Sequence, residues 1–192
     1  MTKDEILQMF RQSNALLEGH FQLTSGLHSP QYFQCAKVLQ YPANADRLCN
    51  EIVQHFRDNP PQVVVAPALG GIVVGQEVAR QCNARSVFTE RKEGVMELRR
   101  GFEIHPGEKV LVCEDVVTTG GSVQEVVDIV DQMKGDLVGV TAIVDRSGGK
   151  AKFKNFYAAF SMDVVTYKPE ACPLCQKGIP VEKPGSRPQP KP

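Results

Sequence analysis

Apolar residues in this chain fall into two patterns: short unbroken runs, and stretches where they recur every three or four positions. Val63-Val64-Val65-Ala66, Ser86-Val87-Phe88, Lys109 to Cys113 and Leu137 to Val144 are of the first kind. Strands buried on both faces read this way. Phe156 to Ser161 and Val164 to Tyr167 predict further strands. The helical rhythm places Leu48, Ile52, Val53 and Phe56 on one face from about Ala43 to Arg57. It resumes through Ile72, Val74, Val78 and Ala79, and again from Ser122 to Met133. At the N-terminus, Thr2-Lys3-Asp4-Glu5 forms a capping box before Ile6, Leu7, Phe10 and Leu17, which predicts helix to about residue 17. The following stretch, GHFQLTSGLHSPQYFQCAKVLQYP, alternates weakly around Gly26 and Pro30. It predicts short strands and turns, a small hood rather than a layer of the core. Glu90 to Gly107 is polar and charged and reads as a loop.

Strands that alternate with helices predict an α/β fold: a mostly parallel, twisted sheet flanked by helices. Right-handed crossovers then bring the C-terminal ends of the strands to one edge, where the loops at 67–71, 114–121 and 145–149 should line a common crevice. The 192 residues, 21.1 kDa, fit one domain. Its parts are a hood over roughly 1–42, a core over roughly 43–168 and a tail over 169–192, Pro-rich and expected to fray from Pro180. Lys+Arg and Asp+Glu both number 22, a balance that argues against broad nucleic-acid binding. No apolar run approaches a membrane span, and MTKDEILQMF lacks the basic and apolar regions of a signal peptide, so a cytoplasmic protein is expected. Of the six cysteines, Cys35, Cys49, Cys82 and Cys113 read as buried small apolar residues of a reducing compartment.

The chemistry concentrates in VLVCEDVVTTGGSV, residues 110–123. Thr118, Thr119, Gly120, Gly121 and Ser122 open a helix, whose first N–H groups lack partners and suit a phosphate. Glu114 and Asp115 just before them can only accept hydrogen bonds, and would repel that phosphate. A ribose 5-phosphate satisfies both halves, with its diol on the carboxylates and its phosphate on residues 118–122. Negative charge beside the ring would also favour a developing sugar cation. The stretch is neither a GxxxxGK[ST] phosphate loop nor a GxGxxG dinucleotide fingerprint.

VLVCEDVVTTGGS resembles the thirteen-residue phosphoribosyl-diphosphate (PRPP) motif of the type I phosphoribosyltransferases. LLEGHFQLTSGLHSPQYFQCAKVLQ, APALGGIVVG, TERKEGVMELRRGF and AIVDRSGG extend the likeness to the orotate-using branch of that family. The resemblance implies an enzyme that transfers phosphoribosyl from PRPP to orotate, giving orotidine 5′-phosphate and pyrophosphate in pyrimidine (UMP) biosynthesis. It implies that Glu114, Asp115, Val116, Val117, Thr118, Thr119, Gly120, Gly121 and Ser122 hold PRPP. Ala68, Leu69, Gly70 and Gly71 would receive the pyrophosphate, and Thr118 and Arg146 the orotate. A guanidinium can pair with a carboxylate, which orotate has and uracil, adenine and hypoxanthine lack. Arg91 and Lys92 match the start of a mobile catalytic loop that covers the partner subunit's site, and with Asp115 they are the catalytic candidates. The resemblance also implies Mg²⁺ bound mainly through PRPP, and a homodimer. Tyr32 and Phe33 match aromatic positions beside the pyrimidine in some members, or are ordinary core aromatics. Thr24 stands where some members have Lys. The rival readings are a phosphoribosyltransferase for another base and a non-catalytic PRPP-sensing regulator. Cys172 and Cys175 form half of a zinc site; with the other cysteines far off and His20, His28, His55 and His105 scattered, no protein-held metal is assigned.

Overall fold

The structure, a computed structural model, describes residues 1–23, 25–163 and 165–184. The chain opens with helix α1 (Lys3–Gln12), and the predicted capping box is formed: Thr2 Oγ1 accepts from Glu5 N while the Glu5 carboxylate accepts from Thr2 N. The helix stops at Gln12 rather than near residue 17 because Asn14 turns left-handed, at φ 52°. Leu16 and Leu17, whose spacing continues the helical rhythm, instead start strand β1 (Leu16–Gln22). Strand β2 (His28–Phe33) pairs with it antiparallel, and the hairpin is followed by a short helix α2 (Cys35–Leu39) that the sequence pattern did not reveal.

The core alternates as expected. Helix α3 (Pro42–Phe56) leads to β3 (Val63–Pro67), helix α4 (Gly70–Cys82) and β4 (Arg85–Lys92). Strand β5 (Val95–Leu98) turns back on β4, so half of the expected charged loop is a hairpin. Then come β6 (Lys109–Val117), helix α5 (Gly121–Gln132), β7 (Asp136–Asp145) and β8 (Phe156–Ser161). The sheet order is β5-β4-β3-β6-β7-β8, parallel throughout except for β5. Strand β3 shows why a continuous valine run makes a central strand. Val64 and Ala66 face the cluster under α1, α3 and α4, while Val63 and Val65 face the cluster under α5. Each buried valine stabilises the fold by roughly 1.5–3 kcal/mol, and such a strand has no face left for water.

Two expectations are corrected at the ends of the chain. The hood is not separate from the core: Phe10 of α1 packs edge-on to Phe33 of β2, with ring centroids 5.5 Å apart, and reaches Phe160 of β8 at 5.5 Å. All three belong to one buried cluster with the inner face of the sheet, so the hood closes that face. The tail does not leave the fold at Pro180. A 3₁₀ turn (Pro169–Ala171) and a short helix α6 (Pro173–Gln176) precede a return of the chain to β1, where Gln22 N donates to Glu182 O (2.8 Å) and Glu182 N to His20 O (2.7 Å). Of the strand expected over 164–167, Val164 lies outside the described residues, and Tyr167 makes an isolated bridge with His28. The rest of the Pro-rich end, 185–192, also lies outside the described residues.

Candidate active site

The ends of β3 and β6, neighbours in the sheet, open into one cavity of about 440 Å³. It is lined by Pro67–Gly70 and by every residue from Glu114 to Val123. The pyrophosphate-loop candidates Ala68, Leu69 and Gly70 therefore meet the PRPP-motif candidates Glu114, Asp115, Val116, Val117, Thr118, Thr119, Gly120, Gly121 and Ser122 across one space. Two helices of 13 and 12 residues, α4 and α5, begin beside it. In α5 the first helical bond runs from Gln124 N to Gly120 O (2.8 Å), so the N–H groups of Gly121, Ser122 and Val123 precede the helical ladder and are available to an anion. Gly120, the residue before α5, sits at φ 80°, and a Cβ there would lie 2.7 Å from the Phe153 ring. Glycine is required at that corner both by the backbone and by the ring.

Glu114 and Asp115 belong to β6 itself, not to a turn after it as the apolar run ending at Cys113 suggested. Pairing with β7 continues through Glu114↔Ala142 to Val117↔Asp145, which holds the two carboxylates on a strand instead of a flexible loop. Each is further fixed by the backbone: Glu114 Oε1 accepts from Asp115 N (2.9 Å) and Asp115 Oδ1 from Val116 N (2.9 Å). The paired glycines opposite are the complement of these acids. A Cβ on Gly70 would collide with Asp115 Oδ2, and one on Gly71 would stand 3.1 Å from Glu114 Oε1. The Gly-Gly loop and the Glu-Asp pair thus fit one another, a relation the sequence shows only as two distant motifs.

Arg146 follows β7, and its N–H donates to Val117 O (2.8 Å), which sets it beside Thr118. Its guanidinium lies over the Phe33 ring, 5.8 Å from the centroid, and its Nε is buried without a hydrogen-bond partner. Burial pushes its pKa down. Asp145 does not take the guanidinium; its Oδ1 accepts from Ser147 N (2.8 Å). A buried donor without an acceptor costs stability. Arg146 is not among the residues that line the cavity, and Thr89, Thr141 and Ser147 also keep a buried polar side-chain atom without a partner. Phe33 is accordingly both a core aromatic and the floor under this cation, whereas the half-buried Tyr32 has its hydroxyl pKa raised by desolvation. Thr24 lies outside the described residues.

Arg91 and Lys92 do not line the cavity. They end β4, where Arg91 makes a two-bond pair with Glu125 of α5 (2.8 and 2.7 Å) and also donates to Gly94 O (2.7 Å). The Cys172/Cys175 reading needs correction: His20 and His28 lie against that pair, and the four ligand atoms are all within 4.8 Å of one another. The signal in the sequence was the pair of histidines eight apart in the hood, legible only once the hood is a hairpin.

The fold and this cavity define an α/β enzyme of phosphoribosyl transfer. Residues 36–170 match the phosphoribosyl transferase domain family, and the chain belongs to that family. Its place there is among the orotate phosphoribosyltransferases. It is 55% identical over 188 residues to the orotate phosphoribosyltransferase of Caldicellulosiruptor bescii, covering 97% of this chain and 99% of the relative. The enzyme of that name from Chlorobaculum parvum is also 55% identical over 188 residues, with 97% of each chain covered. Among solved structures, the orotate phosphoribosyltransferase of Aeropyrum pernix aligns with TM-score 0.72 at 17% identity, covering 82% of this chain and 93% of that one. The adenine phosphoribosyltransferase of Thermoanaerobacter pseudethanolicus aligns with TM-score 0.68 at 12% identity, covering 84% and 100%. At such identities the likeness shows the fold, which serves more than one base.

Proposed function

We propose that the chain transfers the phosphoribosyl group of PRPP to N1 of orotate, in the orotidine 5′-phosphate step of pyrimidine biosynthesis. The C1′–O bond to pyrophosphate breaks, the C1′–N1 bond forms, and the N1 proton is lost. The observation that carries the base assignment is Arg146, whose buried Nε has no partner and whose chain neighbour across the strand end leads to Thr118. A carboxylate on the base would give this guanidinium a charged, two-oxygen partner; uracil, adenine and hypoxanthine offer only neutral acceptors.

In this reading residues 118–122 and the start of α5 hold the 5-phosphate. Glu114 and Asp115 accept from the ribose hydroxyls, and Asp115 lends negative charge to the sugar as C1′ becomes cationic. Ala68, Leu69, Gly70 and Gly71 receive the pyrophosphate at the start of α4. Two carboxylates on one wall of the cavity fit a hard cation, and Mg²⁺ bound through PRPP would neutralise charge on the departing pyrophosphate. Arg91 and Lys92, on an exposed hairpin outside their own cavity, suit a site on a second subunit, so the active form is a homodimer. Closure of that hairpin would exclude water from the reacting sugar. No helix among the described residues is long and apolar enough to cross a membrane. Six free cysteines fit a cytoplasmic, reducing setting.

The test is loss of orotate absorbance with PRPP and Mg²⁺, run beside uracil, adenine and hypoxanthine. Turnover of orotate alone is expected. Turnover of a different base alone would overturn the substrate, and PRPP binding without turnover of any base would overturn the enzyme in favour of a PRPP sensor.

A further inference from the structure

The hood and the C-terminal segment meet at four side chains far apart in sequence. His20 lies on β1, His28 starts β2, Cys172 precedes α6 and Cys175 lies within it. His20, His28 and Cys172 are buried, at 3%, 7% and 0% exposure. His20 Nε2 is 2.9 Å from His28 Nδ1 and 3.6 Å from the sulfur of each cysteine, and Cys175 Sγ is 3.3 Å from His28 Nδ1. A tetrahedral zinc centre with its usual bond lengths has ligand atoms roughly 3.4 Å apart for two nitrogens and roughly 3.6 Å apart for nitrogen and sulfur. The three nitrogen–sulfur separations of 3.3–3.6 Å stand near that spacing, the two nitrogens are closer at 2.9 Å, and all four atoms lie within 4.8 Å of one another.

Hydrogen bonding alone does not account for them. His20 Nδ1 lies 2.7 Å from the carbonyl of Ile179, which can only accept, so that nitrogen carries the proton. Nε2 has a single hydrogen-bonding position, yet His28 Nδ1 and both sulfurs converge on it. One cation at the centre uses all four lone pairs at once. The Ile179 carbonyl is the outer partner that a metal-bound imidazole ordinarily has, since it fixes the ring and its tautomer. The backbone is also built for the quartet. The β1–β2 register shifts between Glu18 and Phe21, and this irregularity leaves the adjacent His20 and Phe21 both buried.

We propose that His20 Nε2, His28 Nδ1, Cys172 Sγ and Cys175 Sγ bind one zinc ion in a closed structural site that clamps the C-terminal segment onto the hood. Two thiolates and two neutral imidazoles around a dication give zero net charge, which suits burial, and two soft sulfurs with two imidazoles favour zinc over magnesium. Four protein ligands leave no open position, so the site is not catalytic. Binding releases the two thiol protons. The backbone bonds of Tyr167 with His28, and of Glu182 with His20 and Gln22, draw the same strands together, and the metal would lock that arrangement. Strand β2 runs from His28 to Phe33, on the order of 16 Å, so the clamp holds the far end of the strand whose other end lies under Arg146.

The experiment is metal analysis of the full chain, purified without chelators and without a metal-affinity step. About one zinc per chain is expected, falling at least roughly tenfold in Cys172→Ser/Cys175→Ser. In parallel, wild-type protein stripped of metal is titrated with Co²⁺. A tetrahedral site with thiolate ligands gives visible d–d bands and a near-ultraviolet thiolate-to-cobalt band that saturate together, and this arm does not depend on the variant folding. No zinc in the wild type and no such bands on titration would overturn the proposal. So would zinc retained in a folded double variant, or a Cys172–Cys175 disulfide in metal-free protein from reducing cells.

Discussion

Replacing Gly70 by alanine would drive a methyl group into the Asp115 carboxylate. The added Cβ would lie 2.6 Å from Cγ and 2.9 Å from Oδ1, and nearer still to Oδ2. Asp115 can turn away only by giving up the bond that Oδ1 accepts from Val116 N at 2.9 Å. The carboxylate would therefore move out of the position from which it accepts from the ribose. Hydrogen bonds to a charged acceptor contribute about 1.5–3 kcal/mol each, so losing two ribose contacts costs about 3 kcal/mol, or roughly 150-fold in PRPP affinity. The assay is calorimetric titration of PRPP with Mg²⁺, beside a thermal melt to establish that the variant is folded. Gly75→Ala is the control: its Cβ would meet Ala66 Cβ at 3.0 Å within the core, away from the cavity lining. It should lower Tm and leave PRPP affinity within about threefold of wild type, since no ligand contact is touched. A folded Gly70→Ala protein that binds PRPP as tightly as wild type would refute the assignment of Asp115 to the sugar.

Gly139→Ala should destabilise the fold without a direct effect on the cavity. Its Cβ would lie 2.5 Å from Phe56 Cε1 and 2.9 Å from the Asn155 carbonyl, so a cost of about 2 kcal/mol and a Tm lower by roughly 4–8 °C is expected in a thermal melt. Glu77→Gln should show a pH-dependent loss. Its hydrogen bond from Arg80 (2.6 Å) holds the Glu77 carboxyl below its ordinary value of 4.5, so the stabilisation is present above that value and is lost as pH falls through the folded one. Denaturant melts should therefore separate Glu77→Gln from wild type at neutral pH and converge as the pH falls below the lowered folded-state value.

The central sheet was legible because its strands are buried on both faces, which forces uninterrupted apolar runs such as Val63–Ala66. The cavity was legible because a phosphate cradle and a carboxylate pair sit side by side in residues 114–122. What stayed hidden follows from where charge and periodicity mislead. Glu90, Arg91 and Lys92 look like a solvated loop, yet β4 buries only Val87 and Thr89, so Glu90 and Lys92 fall on its other side and Arg91 lies beyond the buried stretch at the strand end. Leu16 and Leu17 continue a helical spacing that one left-handed residue, Asn14, ends. The fit of Gly70 and Gly71 to Asp115 and Glu114 is a tertiary contact that no local pattern encodes. The His20, His28, Cys172 and Cys175 quartet depends on a hairpin bringing two histidines together and on the chain end returning to β1, some 150 residues later.

The most direct test of the account is kcat/KM for orotate in wild type and Arg146→Ala, with PRPP affinity measured on both. A two-bond charged pair contributes about 3–6 kcal/mol, so kcat/KM should fall by at least roughly a hundredfold while the PRPP Kd changes by less than about threefold. An Arg146→Ala enzyme that turns over orotate as well as wild type would contradict the claim that this guanidinium reads the carboxylate of the base.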